Sequence, residues 1–292
     1  MSGKFHHYFF GISVGILTLV SSGAGASQPA PSVLSINLCA DQMVMLLAEP
    51  AQIKALSMLS HDKAGSFYQQ QAKEYPVADA RAEDILPRNP DIVLTGPFTP
   101  RHTLALLAEL ELDVKSLEIA NSVEAMLENI RLVGEFLQQE ERAASVISSL
   151  QNDLAKIETR RLELDEAMLK AGKKHPKAAV YDANGYTVGA SSMRGSIMSL
   201  AGWHNVATDK GIEAYGVMSL EDLIHLSPDA LIESPYSEGT YSRGQVLTEH
   251  PALRQSGLDP LILSLPSNQT ICAGPWSVGL IEQLLDARQS LE

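Results

Sequence analysis

The chain has 292 residues and a formal charge of −13, from 22 Lys and Arg against 35 Asp and Glu, with 45% hydrophobic and 20% charged residues. This is globular composition, which excludes a disordered or collagen-like chain, and a mean hydropathy of −0.01 excludes a polytopic membrane protein. The acidic balance speaks against nucleic acid and against docking on anionic lipid, both of which ask for a basic stripe.

Residues 1–26 read as an export signal. Lys4 and two histidines precede an apolar run over 8–20, and Ala24-Gly25-Ala26 supplies a small-x-small cleavage site. A membrane anchor needs about 20 apolar residues, which this run does not reach. Cleavage after Ala26 is expected, giving an exported product one unit more acidic, with no cysteine at its start to take a lipid.

After a Pro/Ser-rich lead, the residues over 33–36 form a short apolar strand candidate and those over 41–49 a helix, with Asp41 in the dipole-favoured first turn. Further strands are expected at 53–56, 92–95 and 114–117, with one helix ending before Asn89-Pro90 and another over 103–112. Apolar strands alternating with helices mean parallel βαβ construction with both sheet faces covered. Asn121 or Ser122 caps a helix to about Leu137. A second helix runs from Glu140 to about Leu169, with Val146, Ile147, Leu150, Leu154 and Ile157 on one face. At 1.5 Å per residue it is about 45 Å long, more than one lobe needs. The pattern then restarts with a strand at 178–181, helices at 191–201 and 220–226, and a strand at 230–233.

An internal match organises these elements. Residues 83–98 (EDILPRNPDIVLTGPF) align without a gap on residues 221–236 (EDLIHLSPDALIESPY), with Glu-Asp, Pro-Asp and Pro-aromatic in register. The chain therefore reads as α/β: an N-terminal lobe over 33–120, a helical segment with a long inter-lobe helix over 121–172, and a C-terminal lobe over 177–292. Ligands of open α/β sheets bind beyond the carboxyl ends of the strands, so the strand-exit loops should line a cleft between the lobes.

Those loops supply the candidate ligand-binding residues: Asn37, Leu38 and Asp41, Phe98 and Arg101 from the first lobe, and Tyr186, Arg194, Tyr236, Tyr241, Arg243 and Trp276 from the second. Aromatics are only 5% of the chain, yet they gather here beside arginines that can fork onto carboxylates or stack on planar faces. Cys39 and Cys272 also fall in exit loops, one per lobe. In an oxidising compartment they form either a disulfide, which would tie the lobes and restrict opening, or two buried thiols. His61, His102, His175, His204, His225 and His250 show no paired spacing for a metal site. The chain has no G-x-S-x-G, no H-E-x-x-H and no glycine-rich phosphate loop, so an enzyme is not expected.

The export signal, a strand followed by Asn37–Gln42 (NLCADQ), the ED…PD element in both halves, the long bridging helix and the late Gly274-Pro275-Trp276 resemble the periplasmic substrate-binding proteins of ABC importers for iron-siderophores and cobalamin. The resemblance covers about residues 33–285. It implies two Rossmann-like lobes with mostly parallel sheets, a rigid helix that limits hinge motion, and ligand held between the lobes. It also implies one exposed glutamate per lobe pairing with arginines of an inner-membrane permease dimer, at Glu83 and Glu221. The ligand implied is a ferric siderophore or related chelate, with corrinoid second and haem third; three candidate arginines tilt the choice to an anionic chelate, and Tyr186 or Tyr236 suits haem ligation. No cofactor of its own and no resident metal are expected of this periplasmic monomer, and an exported sensor with the same lobes is the alternative role.

Overall fold

The computed structural model describes residues 1–4, 29–235 and 250–291. In the first lobe β1 (Val33–Ser35), β2 (Ile53–Ser57), β3 (Val77–Ala78), β4 (Ile92–Thr95) and β5 (Val114–Ser116) form a parallel sheet in the order β3-β2-β1-β4-β5. Helices α1 (Leu38–Leu47), α2 (Gln69–Ala72), α3 (Ala82–Ile85) and α4 (Arg101–Glu109) connect them. Two helices follow, α5 (Val123–Phe136) and α6 (Glu140–Lys170). The second lobe runs β6 (Lys177–Val180), β7 (Tyr186–Val188), α7 (Met193–Leu200), β8 (His204–Asn205), β9 (Tyr215–Val217), α8 (Leu220–Leu226), β10 (Ala230–Glu233), α9 (Pro251–Gln255), β11 (Leu261–Ser264), α10 (Ser267–Thr270) and α11 (Trp276–Gln289). Its main sheet is parallel in the order β11-β10-β6-β8, and β7 with β9 makes a separate antiparallel ribbon.

The repeated sequence has a physical reading. Asn89 and Ser227, at equivalent positions before a proline, both take a left-handed backbone, with φ of 44° and 49°. The following proline disfavours the right-handed helical region at these positions, and each helix stops there. Two residues on, Asp91 accepts the Ser32 N–H at 2.7 Å and Asp229 accepts the Lys177 N–H at 2.7 Å. Each aspartate thus pins the entry of its strand, β4 or β10, to the entry of the neighbouring β1 or β6. Hydrogen bonds from Ser32 hold the Asp91 carboxyl below the usual carboxylate range.

Helix α6 joins the lobes. Its buried residues Ala143, Leu150, Ile157 and Leu164 recur every seven positions, so a narrow apolar seam faces inward over 31 residues, about 46 Å of helix. Burying each of the three large residues contributes roughly 1.5–3 kcal/mol. At the α5–α6 crossing a Cβ on Gly134 would sit 2.4 Å from the Ala143 Cβ, so only glycine allows this approach. At the other end α6 is bolted to α11. Arg160 pairs with Asp286 at 2.6 Å, and fully buried Arg288 pairs with Asp165. One contiguous apolar core runs from Val33 through the α6 seam to Leu285.

Three local expectations are corrected. The first helix begins at Leu38, because the Asn37 side chain accepts the Cys39 and Ala40 N–H groups and caps it, so Cys39 lies in a helix and not in a loop. Trp276 opens α11 and is not a loop residue. Strands β3, β7, β8, β9 and β11 are additional to those expected; all but β11 are two or three residues long, too short to show a period.

Candidate ligand-binding site

In the second sheet β6 lies between β8 and β10, so the strand order reverses beside β6 and the loops after β6 and β10 part there, leaving a crevice. Asp182 leaves β6 and Ser234 leaves β10. The Ser234 N–H donates to Asp182 Oδ1 at 2.9 Å, and Arg194 Nη1 donates to Asp182 Oδ2 at 2.6 Å. The guanidinium lies 5.7 Å from the centre of the Tyr186 ring, which stacks on Tyr215 at 6.4 Å. The Tyr215 hydroxyl donates to Asn121 Oδ1 at 3.0 Å, carrying the chain of contacts across to the segment that leaves the first lobe.

Local sequence fixes this arrangement. Ser192 caps α7 by accepting the Gly195 N–H and donates to the Gly189 carbonyl, so Arg194 is presented from the first turn of a short helix. A Cβ on Gly189 would lie 1.9 Å from the Ile212 carbonyl oxygen, so the loop is held against backbone by a residue without a side chain. Burial pushes the Tyr186 phenol above its ordinary range, and the neighbouring Arg194 pulls it back.

These residues line a cavity of about 280 Å³. Tyr186, Val188, Met193 and Tyr215 form its apolar wall, Asp182, Arg194 and Ser234 its polar one, Ile119 and Ala120 come from the end of the first lobe, Asn121 from the start of the helical segment, and Thr270 and Ile271 from the approach to α11. Around the carboxyl ends of the strands several large apolar side chains stay exposed, among them Met58, Leu59, Phe67, Ile119 and Phe98, the last at 82%.

Beside the cavity the lobes are fastened together. Cys39 and Cys272 form a disulfide with Cα atoms 5.2 Å apart. Phe67 stacks on Trp276 at 4.8 Å and Tyr68 meets the same indole edge-on at 5.6 Å. Trp276 Nε1 donates to the Cys272 carbonyl, and the Ser267 hydroxyl donates to the Ala64 carbonyl at 2.7 Å.

Of the sequence candidates, Tyr186 and Arg194 meet in the cavity. Asp41 does not reach it: the carboxyl is fully buried, accepting the Ser57 N–H and hydroxyl, and it ties α1 to β2. Asn37 spends its side-chain oxygen on the α1 cap, and Leu38 is the first residue of that helix. Trp276 is 6% exposed and serves the lobe contact. Phe98 and Arg101 are exposed at the first lobe's rim, outside the cavity wall. Tyr236, Tyr241 and Arg243 lie outside the described residues, as does most of the export signal. Arg194 is not the free cation expected, since Asp182 neutralises it. Glu83 and Glu221 are both exposed in the first turns of α3 and α8, and neither takes part in an ion pair among the described residues.

Sequence reading missed Tyr215, Asn121 and Ile119 as wall residues. The strand ending near Leu117 was legible, so its exit loop at 118–121 followed from the same carboxyl-end rule. Tyr215 carried no such signal, because only the β7–β9 pairing brings it there. Among the described residues no three His, Cys, Asp or Glu gather as a metal site, and no helix is long and apolar enough to cross a membrane.

A family model described as "Periplasmic binding protein" matches residues 52–256. Similar solved structures include the periplasmic heme-binding protein RhuT from Roseiflexus sp. RS-1 in apo form, at 20% identity and TM-score 0.68, over 89% of this chain and 100% of that one. A periplasmic heme binding protein from Pseudomonas aeruginosa is 20% identical with TM-score 0.70, over 89% and 92%. The periplasmic vitamin B12 binding protein BtuF of Vibrio cholerae is 17% identical with TM-score 0.65, over 90% and 98%. No curated protein sequence matches the chain significantly.

Proposed function

The chain belongs to the periplasmic binding protein family, and on that premise we propose that it is the substrate-binding component of an ABC importer. It captures a ferric siderophore or related metal chelate between its lobes and hands it to an inner-membrane permease dimer. The observation that carries this is the cavity where the second lobe's strand order reverses, with a Tyr186–Tyr215 stack on one side, the Asp182–Arg194 pair on another and first-lobe residues closing it. A tyrosine stack beside polar donors suits a large, flat, partly apolar ligand. The protein is exported with cleavage after Ala26, works in the periplasm as a monomer, and performs no chemistry of its own. Exposed Glu83 and Glu221 make the permease contact, one from each copy of the repeated element. Corrinoid and haem are the second reading, and the observation favouring haem is Tyr186, a phenol in the cavity wall.

Absorbance and native mass spectrometry of the mature protein, purified from iron-limited cells, test the proposal. A bound ferric chelate, corrinoid or haem each has its own visible spectrum and mass. A protein that stays colourless and ignores all three ligand classes on titration overturns it.

A further inference from the structure

The charge state of the cavity narrows the ligand. Asp182 and Arg194 are 19% and 14% exposed, and their 2.6 Å contact lies in the cavity wall. The pair therefore brings no net charge. An anionic group placed against the guanidinium also meets the Asp182 carboxylate, and the repulsion cancels most of the gain. Asp182 itself is held in place by the Ser234 N–H. Hydrogen-bond donors, by contrast, are plentiful. The Ser234 hydroxyl is buried and finds no partner among the described residues, and the phenol of Tyr186 and the guanidinium lie in the same wall. A donor-rich wall whose described residues sum to zero charge is matched by neutral carbonyl oxygens and mismatched by carboxylates or catecholates.

Resting on the chelate-binding reading above, we infer that Asp182 is a selectivity residue: by neutralising Arg194 it tunes the cavity to uncharged, carbonyl-rich chelates, of the amide or hydroxamate kind, over anionic ones. This reverses the tilt that a count of arginines suggests. Asp182 acts through Arg194, so it is a positioning residue, and its signature is a ratio of affinities and not the affinity for any one ligand.

The test titrates the full mature protein with two matched pairs: a ferric trihydroxamate, uncharged at iron, against a ferric tris-catecholate, trianionic at iron; and cyanocobalamin, which carries amides, against haem, which carries carboxylates. Wild type should favour the uncharged member of whichever pair it binds by about tenfold or more. Asp182→Asn keeps an oxygen for the Ser234 N–H and frees the guanidinium, so it should shift that ratio about tenfold toward the anionic member. Arg194→Gln leaves Asp182 alone in the wall and should worsen anion binding further while costing the uncharged member one donor. A wild type that prefers the anionic member overturns the inference, and so does an unchanged ratio in a folded Asp182→Asn variant. If Asp182→Asn does not fold, the Arg194→Gln ratio decides in the same sense. Binding of none of the four probes removes the chelate reading itself, and the preference with it.

Discussion

Asp41 is the buried acid whose replacement the structure describes most fully. It sits in α1 with its carboxyl fully buried, Oδ1 accepting the Ser57 N–H at 3.0 Å and Oδ2 the Ser57 hydroxyl at 2.5 Å. Burial raises its pKa from 3.8 to about 7, against hydrogen bonds from Ser35 and Ser57 that pull the other way. A folded-state pKa above the unfolded one means that the folded protein holds a proton the unfolded chain has released. The cost of the ionised group is therefore complete above about pH 7 and gone below about pH 3.8. The gap corresponds, at about 1.4 kcal/mol per pH unit, to about 4 kcal/mol, of which about 2.5 kcal/mol falls between pH 8 and pH 5. Asp41→Asn keeps the oxygen for Ser57 and has no charge to bury. Urea unfolding of both proteins at pH 8, 6.5 and 5 should show wild type gaining about 2.5 kcal/mol relative to the variant as pH falls. Equal pH slopes for the two proteins refute the reasoning, because Asp41 would then titrate alike in the folded and unfolded states.

Three further outcomes follow from other contacts. Cys39→Ser with Cys272→Ser removes a bridge spanning 233 residues, which in the chain-entropy model costs about 5 kcal/mol, and denaturant midpoints should fall as they do for wild type in reductant. Arg288→Met leaves Asp165 with Arg161 and His175 and removes one of the two arginine ties between α6 and α11, the Arg160–Asp286 pair remaining; a loss of about 3 kcal/mol is expected in the same unfolding assay. Reversing Glu83 and Glu221 to arginine should leave the thermal midpoint and chelate affinity unchanged while abolishing uptake in vesicles carrying the permease, since both side chains are exposed and outside the cavity wall.

The parts of this molecule that sequence disclosed are those whose causes are local. The bridging helix declared itself through an apolar seam and a lack of proline, and the repeat through a Pro-Asp pair whose aspartate pins strand entries in both lobes. Tyr186 and Arg194 were reached by the carboxyl-end rule, one step from the strand before them. What stayed hidden depends on distant partners. Asp41 looks like an exit-loop acid until Asn37 is seen to start the helix early, which turns the carboxyl toward Ser57. Trp276 reads as a ligand platform until Phe67, over 200 residues away, stacks on it. Spacing alone left the cysteines open between bridge and thiols; the 5.2 Å Cα approach of α1 to the loop before α11 settles them as a bridge. Arg194 counts as a cation in the sequence, but its charge is spent on Asp182.

The central claim is that the Tyr186–Tyr215 wall holds the chelate. Equilibrium titration of wild type, Tyr186→Ala and Tyr215→Ala with the chelate that copurifies tests it most directly. Each truncation should weaken binding by about tenfold or more, about 1.4 kcal/mol, with the fold intact by circular dichroism. Affinity unchanged in both folded variants would contradict the claim and move the ligand to another face of the protein.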